Sequence, residues 1–172
     1  MSNEPISQLL VSIDQAYDRA SWHGTNLRGS LRGVTAEEAS WRPAPGRHNI
    51  WELALHCAYW KYAARRQMLG EPKGTFPYPG SDFFPRPDPA SPLSVDRAWA
   101  ADLAVLAAMH KSLRAAIEGL SAEDLAGKAR GRKERRMLDI AVGVAAHDLY
   151  HAGQIQLLRR LREGSEAGES IE

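Results

Sequence analysis

An all-α fold, a single four-helix bundle, is predicted by three features of this 172-residue chain. Four stretches carry apolar residues at alternating spacings of three and four, the period of a helix with one buried face. No stretch alternates apolar and polar residues with period two over the length of a strand. Seven of the ten prolines crowd into residues 70–92, a density that excludes regular structure and marks a crossover between the second and third helices.

The first helix is expected at 5–32, where Ile6, Leu10, Ile13, Tyr17, Ala20, Leu27 and Leu31 keep the period across "WHG", with a bend at Gly24. The second, 49–69, aligns Ile50, Leu53, His56, Trp60 and Ala64 on one stripe. The third, 94–120, is the most regular: Trp99, Leu103, Leu106, His110, Leu113, Ile117 and Leu120 form a seam, with Ser94 as N-cap and Asp96 in the favourable first turn. The fourth, 136–162, aligns Met137, Ile140, Val144, His147, His151, Ile155 and Leu158 before a polar tail at 163–172. The connection 34–48 opens with the capping-box pattern "TAEE", and the connection 121–135 is rich in charge. Because Phe76, Tyr78, Phe83 and Phe84 lie in the crossover, it is expected to be ordered and packed, roofing one end of the bundle.

Composition limits the function classes. With 44% hydrophobic and 25% charged residues, residues 1–172 fit one soluble domain with a sizeable core. Lys plus Arg number 22 against 21 Asp plus Glu, so a net charge of +1 gives no field directed at nucleic acid or an anionic membrane. The basic run "KARGRKERR" (128–136) lacks aromatic residues for base stacking and reads as a solvated loop. The lone Cys57 excludes an intramolecular disulfide, and no basic-then-apolar leader opens the chain, so a cytoplasmic protein with neither membrane nor nucleic-acid partner is expected.

The stretch "AAHDLYHAGQIQLLRR" (145–160) puts His147 and His151 one helical turn apart on the apolar stripe. Residues at i and i+4 stand roughly 5–6 Å apart, so both imidazoles can reach one ion. A third ligand is available in His56 of "LALHCAYW", whereas His110 lies mid-seam with no helical partner and reads as a hydrogen-bonded core residue. Three histidines leave a coordination position open for water or substrate. "HDLYH" half-matches the H-E-x-x-H helix of zinc proteases, but Asp148 is shorter than the glutamate required and no downstream ligand follows. Cys57, about 100° around the helix from His56, reads as a small core residue.

"NIWELALHCAYWKYAARR" together with "AAHDLYHAGQIQLLRRL" resembles the DinB/YfiT-like superfamily, H-x-x-x-H-x-G-Q-I being the specific part. "WHGTNLRGSLRGVTAEEASWRPAPG" is similar to the first helix and following loop of one bacterial branch. The resemblance implies an up-down-down-up bundle, often a homodimer, holding nickel or zinc on His56, His147 and His151. It implies a metal-dependent enzyme on a small-molecule substrate: a transferase joining a low-molecular-weight thiol to an electrophile, ahead of a hydrolase activating water. Tyr150, Gln154 and His23 are the candidates for proton handling or substrate orientation. The alternative is a non-catalytic, metal-stabilised bundle serving as a sensor or binding partner.

Overall fold

The apolar stripes are buried, and four long helices carry them. The structure, a computed structural model, describes residues 4–72, 74, 76–130 and 135–169. Among these it places α1 (Glu4–Tyr17), α2 (Leu27–Ser30), α3 (Ala36–Ser40), α4 (Ile50–Leu69), α5 (Val95–Glu118), α6 (Ala122–Ala126) and α7 (Met137–Glu169), and no strand. The four long helices, α1, α4, α5 and α7, close a ring in which α4 packs on α5 and α7, and α1 packs on the same two.

Cross-helix pairs fix the directions. Along α4 and α5 the partners rise together: Trp51 Nε1 donates to Asp102 at 2.7 Å, and Arg65 donates to Ser112 at 2.9 Å. These two helices are therefore parallel. Arg114 meets Asp14 at 2.9 Å while Tyr17 stacks on His110 at 3.7 Å, so α1 runs against α5. On α7, His151 faces His56 and Asp148 faces Lys61, which sets α7 against α4.

Parallel neighbours need a connection as long as the helix, about 30 Å for the 20 residues of α4. The proline-rich crossover supplies it. It does not roof an end of the bundle; it returns along the side of α4. Pro72 accepts from Arg66, Phe76 packs on Tyr62 and Tyr59, Asp82 accepts from Trp60, and Arg86 reaches Asn49 and Glu52. Gly70 starts the reversal with φ 71°, and a Cβ there would lie 2.8 Å from that of Arg130.

Arg86 anchors the far end. Its Nε donates to Asp102 at 2.8 Å, and Asp102 also accepts from Trp51 and from the Tyr78 hydroxyl. Glu52, 4% exposed, accepts from both terminal nitrogens of the Arg42 guanidinium, from His48 and from the Arg86 N–H. Burial acts against its charge, but these donors outweigh it and hold the carboxyl below its ordinary range.

The sequence reading needs correction at several places. The first helix stops at Tyr17 and does not bend through Gly24 to residue 32. Asn26 caps a separate short helix, accepting from Gly29 N at 2.8 Å and donating to Arg19 O at 2.8 Å. Leu27 and Leu31 are buried as predicted, but by α2 and its end. Ser94 holds the N-cap position of α5 without a side-chain cap bond. Thr35 accepts from Glu38 N at 3.1 Å, while the Glu38 carboxylate takes Arg159 of α7 at 2.9 Å. Residues 163–169 of the polar tail continue α7, since no proline interrupts the backbone bonding there. Residues 170–172 lie outside the described residues.

His110 is a core residue, 6% exposed, but it is held by stacking on Tyr17; its Nδ1 has no hydrogen-bond partner. Removing Asp102 should expose the weakness of the anchor. Asp102→Ala leaves the buried Arg86 charge uncompensated, a loss on the order of 3–5 kcal/mol. Scanning calorimetry should then show a melting temperature lower by roughly 10 °C.

Candidate metal centre

α4 and α7 bring His56, His147 and His151 together, with ligating nitrogens within 4.8 Å of one another. His56 Nε2 and His151 Nε2 each lie 3.1 Å from His147 Nε2. The helical period makes this possible: one turn of α7 aims two rings at one point of α4.

Two of the far nitrogens are engaged. His56 Nδ1 lies 3.1 Å from the carbonyl oxygen of Asp82 and 3.2 Å from its carboxylate. His151 Nδ1 lies 2.6 Å from Gln154 Oε1, and Gln154 Nε2 donates to the Tyr150 hydroxyl at 3.2 Å. Both acceptors require a proton on Nδ1, which leaves each Nε2 as a bare lone pair pointing at His147. Lone pairs so close repel unless a proton or cation lies between them. Zinc–imidazole bonds of about 2.0–2.1 Å put two nitrogens about 3.3 Å apart at the tetrahedral angle and about 2.9 Å apart at a right angle. The observed 3.1 Å falls between these values, so the donor set fits one divalent cation.

Asp82 comes from the crossover and has φ 72°, a left-handed conformation that aspartate tolerates better than most residues. Its carboxylate also accepts from Trp60 Nε1 at 2.8 Å. Phe83 lies flat on His56 at 4.0 Å, and His48 stacks on the other side of Phe83 at 3.7 Å. Behind the triad, Lys61 and Asp148 form an ion pair whose side chains are each 1% exposed. Burial pushes the Asp148 carboxyl up in spite of Lys61, and it pushes the neighbouring Cys57 thiol well above its usual range.

Two cavities flank the triad. One of about 440 Å³ is lined by Trp60, Gln67, Arg135 and Asp139 together with His56 and His147. The other, about 770 Å³, is lined by all three histidines, Phe83, Tyr150, Gln154 and a row of leucines.

Comparison with known families decides the membership, since the profile described as DinB superfamily matches residues 19–155. The chain belongs to the DinB superfamily. No curated protein and no solved structure gives a significant match.

Within this DinB bundle the sequence-predicted residues separate. His56, His147 and His151 converge, and Gln154 and Tyr150 extend from His151 into the larger cavity. His23 does not join them: it lies exposed in the break between α1 and α2 and lines neither flanking cavity. Cys57 is a core residue, fully buried, with its sulfur near His147 and Asp148. Asp148, standing where a zinc protease has its general base, is turned into the core towards Lys61.

The basic run is pinned at both ends by a bridge between Lys128 and Arg136, with Arg130 paired to Asp124 and Arg136 to Asp139. Arg132 and Lys133 lie outside the described residues. Sequence reasoning missed Asp82, Phe83 as a site residue, the Lys61–Asp148 pair, and His48, whose Nδ1 meets Glu52 at 2.8 Å at the edge of the larger cavity. A lysine inside the apolar run "LALHCAYWKYAA" was the available signal for the buried pair. No helix among the described residues is long and apolar enough to cross a membrane.

Burial lowers His147 to about 3, with the neighbouring His151 and His56 adding to it, lowers His151 to about 4, and lowers His110 to about 3. A histidine in an unfolded chain titrates near 6.5, so below that pH the unfolded state takes up protons that the folded state refuses. The contribution of these three rings to the stability of the metal-free protein is therefore full above about pH 6.5 and lost as pH falls towards 3–4. Urea midpoints measured from pH 7 to 4.5 should decline, and His110→Phe, which keeps a ring against Tyr17, should make the decline shallower. A flat profile would contradict the assignment of neutral, buried rings.

Proposed function

We propose that His56, His147 and His151 hold one divalent cation, nickel or zinc, and that this DinB protein is a metal-dependent enzyme that activates a thiol, or secondarily water, against a small-molecule electrophile. The observation that carries this reading is the convergence of three Nε2 atoms with two of the opposite nitrogens already engaged. A single cation satisfies all three lone pairs, and a three-histidine set leaves room for a further ligand. When bound, such a cation supplies Lewis acidity that lowers the pKa of a thiol or water and so yields a nucleophile at neutral pH.

The chain's own residues do the rest. Gln154 fixes the tautomer and rotation of His151, and Asp82 does the same for His56. Tyr150 accepts from Gln154, so its hydroxyl proton is free to point at a substrate oxygen in the larger cavity. His48, with Nδ1 held by Glu52, offers Nε2 as a proton acceptor at the same cavity. In thiol transfer a sulfur–carbon bond forms and the bond from carbon to its leaving group breaks. The leaving group takes up the proton that the thiol gave up, and no oxidant or reductant is needed.

A non-catalytic, metal-stabilised bundle is the competing reading. Two cavities open on the triad favour the enzyme, because a structural site has no use for access.

Calorimetric titration of tag-free protein with zinc and nickel tests the site. His56→Ala, His147→Ala and His151→Ala should each weaken binding by more than about 100-fold, and Asp82→Ala and Gln154→Ala by roughly 10- to 100-fold. His110→Ala should leave affinity unchanged. Unchanged affinity in His147→Ala or His151→Ala would sink the metal reading. Turnover of a thiol panel with model electrophiles by the metal-loaded protein, lost in the histidine variants, tests the reaction. Metal binding without turnover of thiol or water substrates would favour the non-catalytic bundle.

A further inference from the structure

The cavities on the two sides of the triad differ in chemistry. The smaller one is walled by Trp60, Ala64, Ile140 and Val144, but Gln67, Arg135 and Asp139 give it polar groups that can hold a polar molecule. The larger one is walled by Leu53, Phe83, Tyr150, Leu157, Leu158 and Leu161. Three of these are unusually exposed for their type: Tyr150 at 64%, Leu157 at 57% and Leu161 at 47%. Apolar side chains left open to water beside a cavity are a liability unless a ligand covers them. The leucines follow from α7 itself, because residues 150, 154, 157, 158 and 161 continue the face that begins with His147 and His151. The apolar wall is thus continuous with the metal ligands, and Arg47 stands at its margin without an ion-pair partner among the described residues.

Resting on the reading of the triad as a reaction centre, we propose that this larger arm is the subsite for the electrophile, and that it selects acceptors bearing a hydrocarbon chain of several carbons. The reacting carbon then lies at the mouth of the triad, the chain runs along α7 towards Leu161, and the polar nucleophile enters from the Arg135 side. A terminal alkyl epoxide is a chemical class that fits. Sulfur bonds to the terminal carbon, the ring carbon–oxygen bond breaks, and the alkoxide takes up the proton released by the thiol, with Tyr150 and His48 within the same cavity.

The test separates seating from chemistry. Binding of unreactive n-alkyl-1,2-diols with four to ten carbons is measured by titration calorimetry on the metal-loaded protein. Affinity should rise by about three- to fourfold per added methylene until the arm is filled, the factor expected for burying one methylene. Leu157→Ser and Leu161→Ser, which alter half-exposed positions and leave the core intact, should flatten that dependence. Val142→Ser, equally exposed on α7 but outside both cavities, should not.

Affinity independent of chain length in the wild type overturns the subsite. So does sedimentation showing a dimer that Leu157→Ser dissociates while the diols bind no better, because a second copy would then be what covers the leucines. Chain-length-dependent binding without turnover of the matching epoxides by any thiol leaves the subsite standing and removes the thiol-transfer reading alone.

Discussion

The guanidinium of Arg86, buried between α4 and α5, ties the crossover to the bundle, and the site depends on that tie. A crossover of seven prolines has no ladder of its own to hold it. It is held because Arg86, in its last third, pairs its buried guanidinium with Asp102 and gives its backbone N–H to Glu52. With that end fixed and Gly70 fixing the other, the intervening residues have one course, along α4 past Tyr62, Tyr59, Trp60 and His56. Asp82 and Phe83 reach His56 as a result. The buried carboxylates Glu52 and Asp102 are expensive in isolation, and their donors offset the desolvation. Their return is a loop held with the definition of a helix.

The candidate metal centre is built in the same manner, from groups that are unfavourable singly and compatible together. Three neutral imidazoles with lone pairs turned inwards gain nothing from one another. A fully buried ion pair one residue beyond His147 keeps the core behind them polar and dry. The chain tolerates these groups where a simple bundle would place leucine, which is the pattern expected where local stability is given up for a functional site.

How much of this was readable in the sequence follows from the reach of periodicity. Helices α4, α5 and α7 were legible because each buries a stripe at constant spacing, and the pair His147 and His151 was legible for the same reason. The end of α1 was not, because Leu27 and Leu31 keep the helical phase by belonging to the next short helix, and the break is made by Asn26 side-chain bonds that a stripe does not register. Asp82 was invisible because it is 26 residues from His56 and meets it only through the anchoring of Arg86. His48 precedes the N-cap Asn49, outside any periodic face. The continuation of α7 past Arg162 was hidden by polarity, which signals solvent exposure and says nothing about backbone conformation.

The contacts that join α7 to the earlier elements have a consequence for how the chain acquires its shape. His56 and His147 are separated by 91 residues, Arg159 and Glu38 by 121, and Arg159 and Ser30 by 129. Helical bundles usually fold fast because their contacts are local, whereas each of these must first overcome the entropy of closing a long loop. The helices can form and pair before that closure, but the three imidazoles cannot face one another until it has happened. A mutation that slows the docking of α7 would therefore delay the appearance of the centre while leaving most of the helical signal in place, and a spectroscopic probe at Trp60 would report a slower event than circular dichroism does.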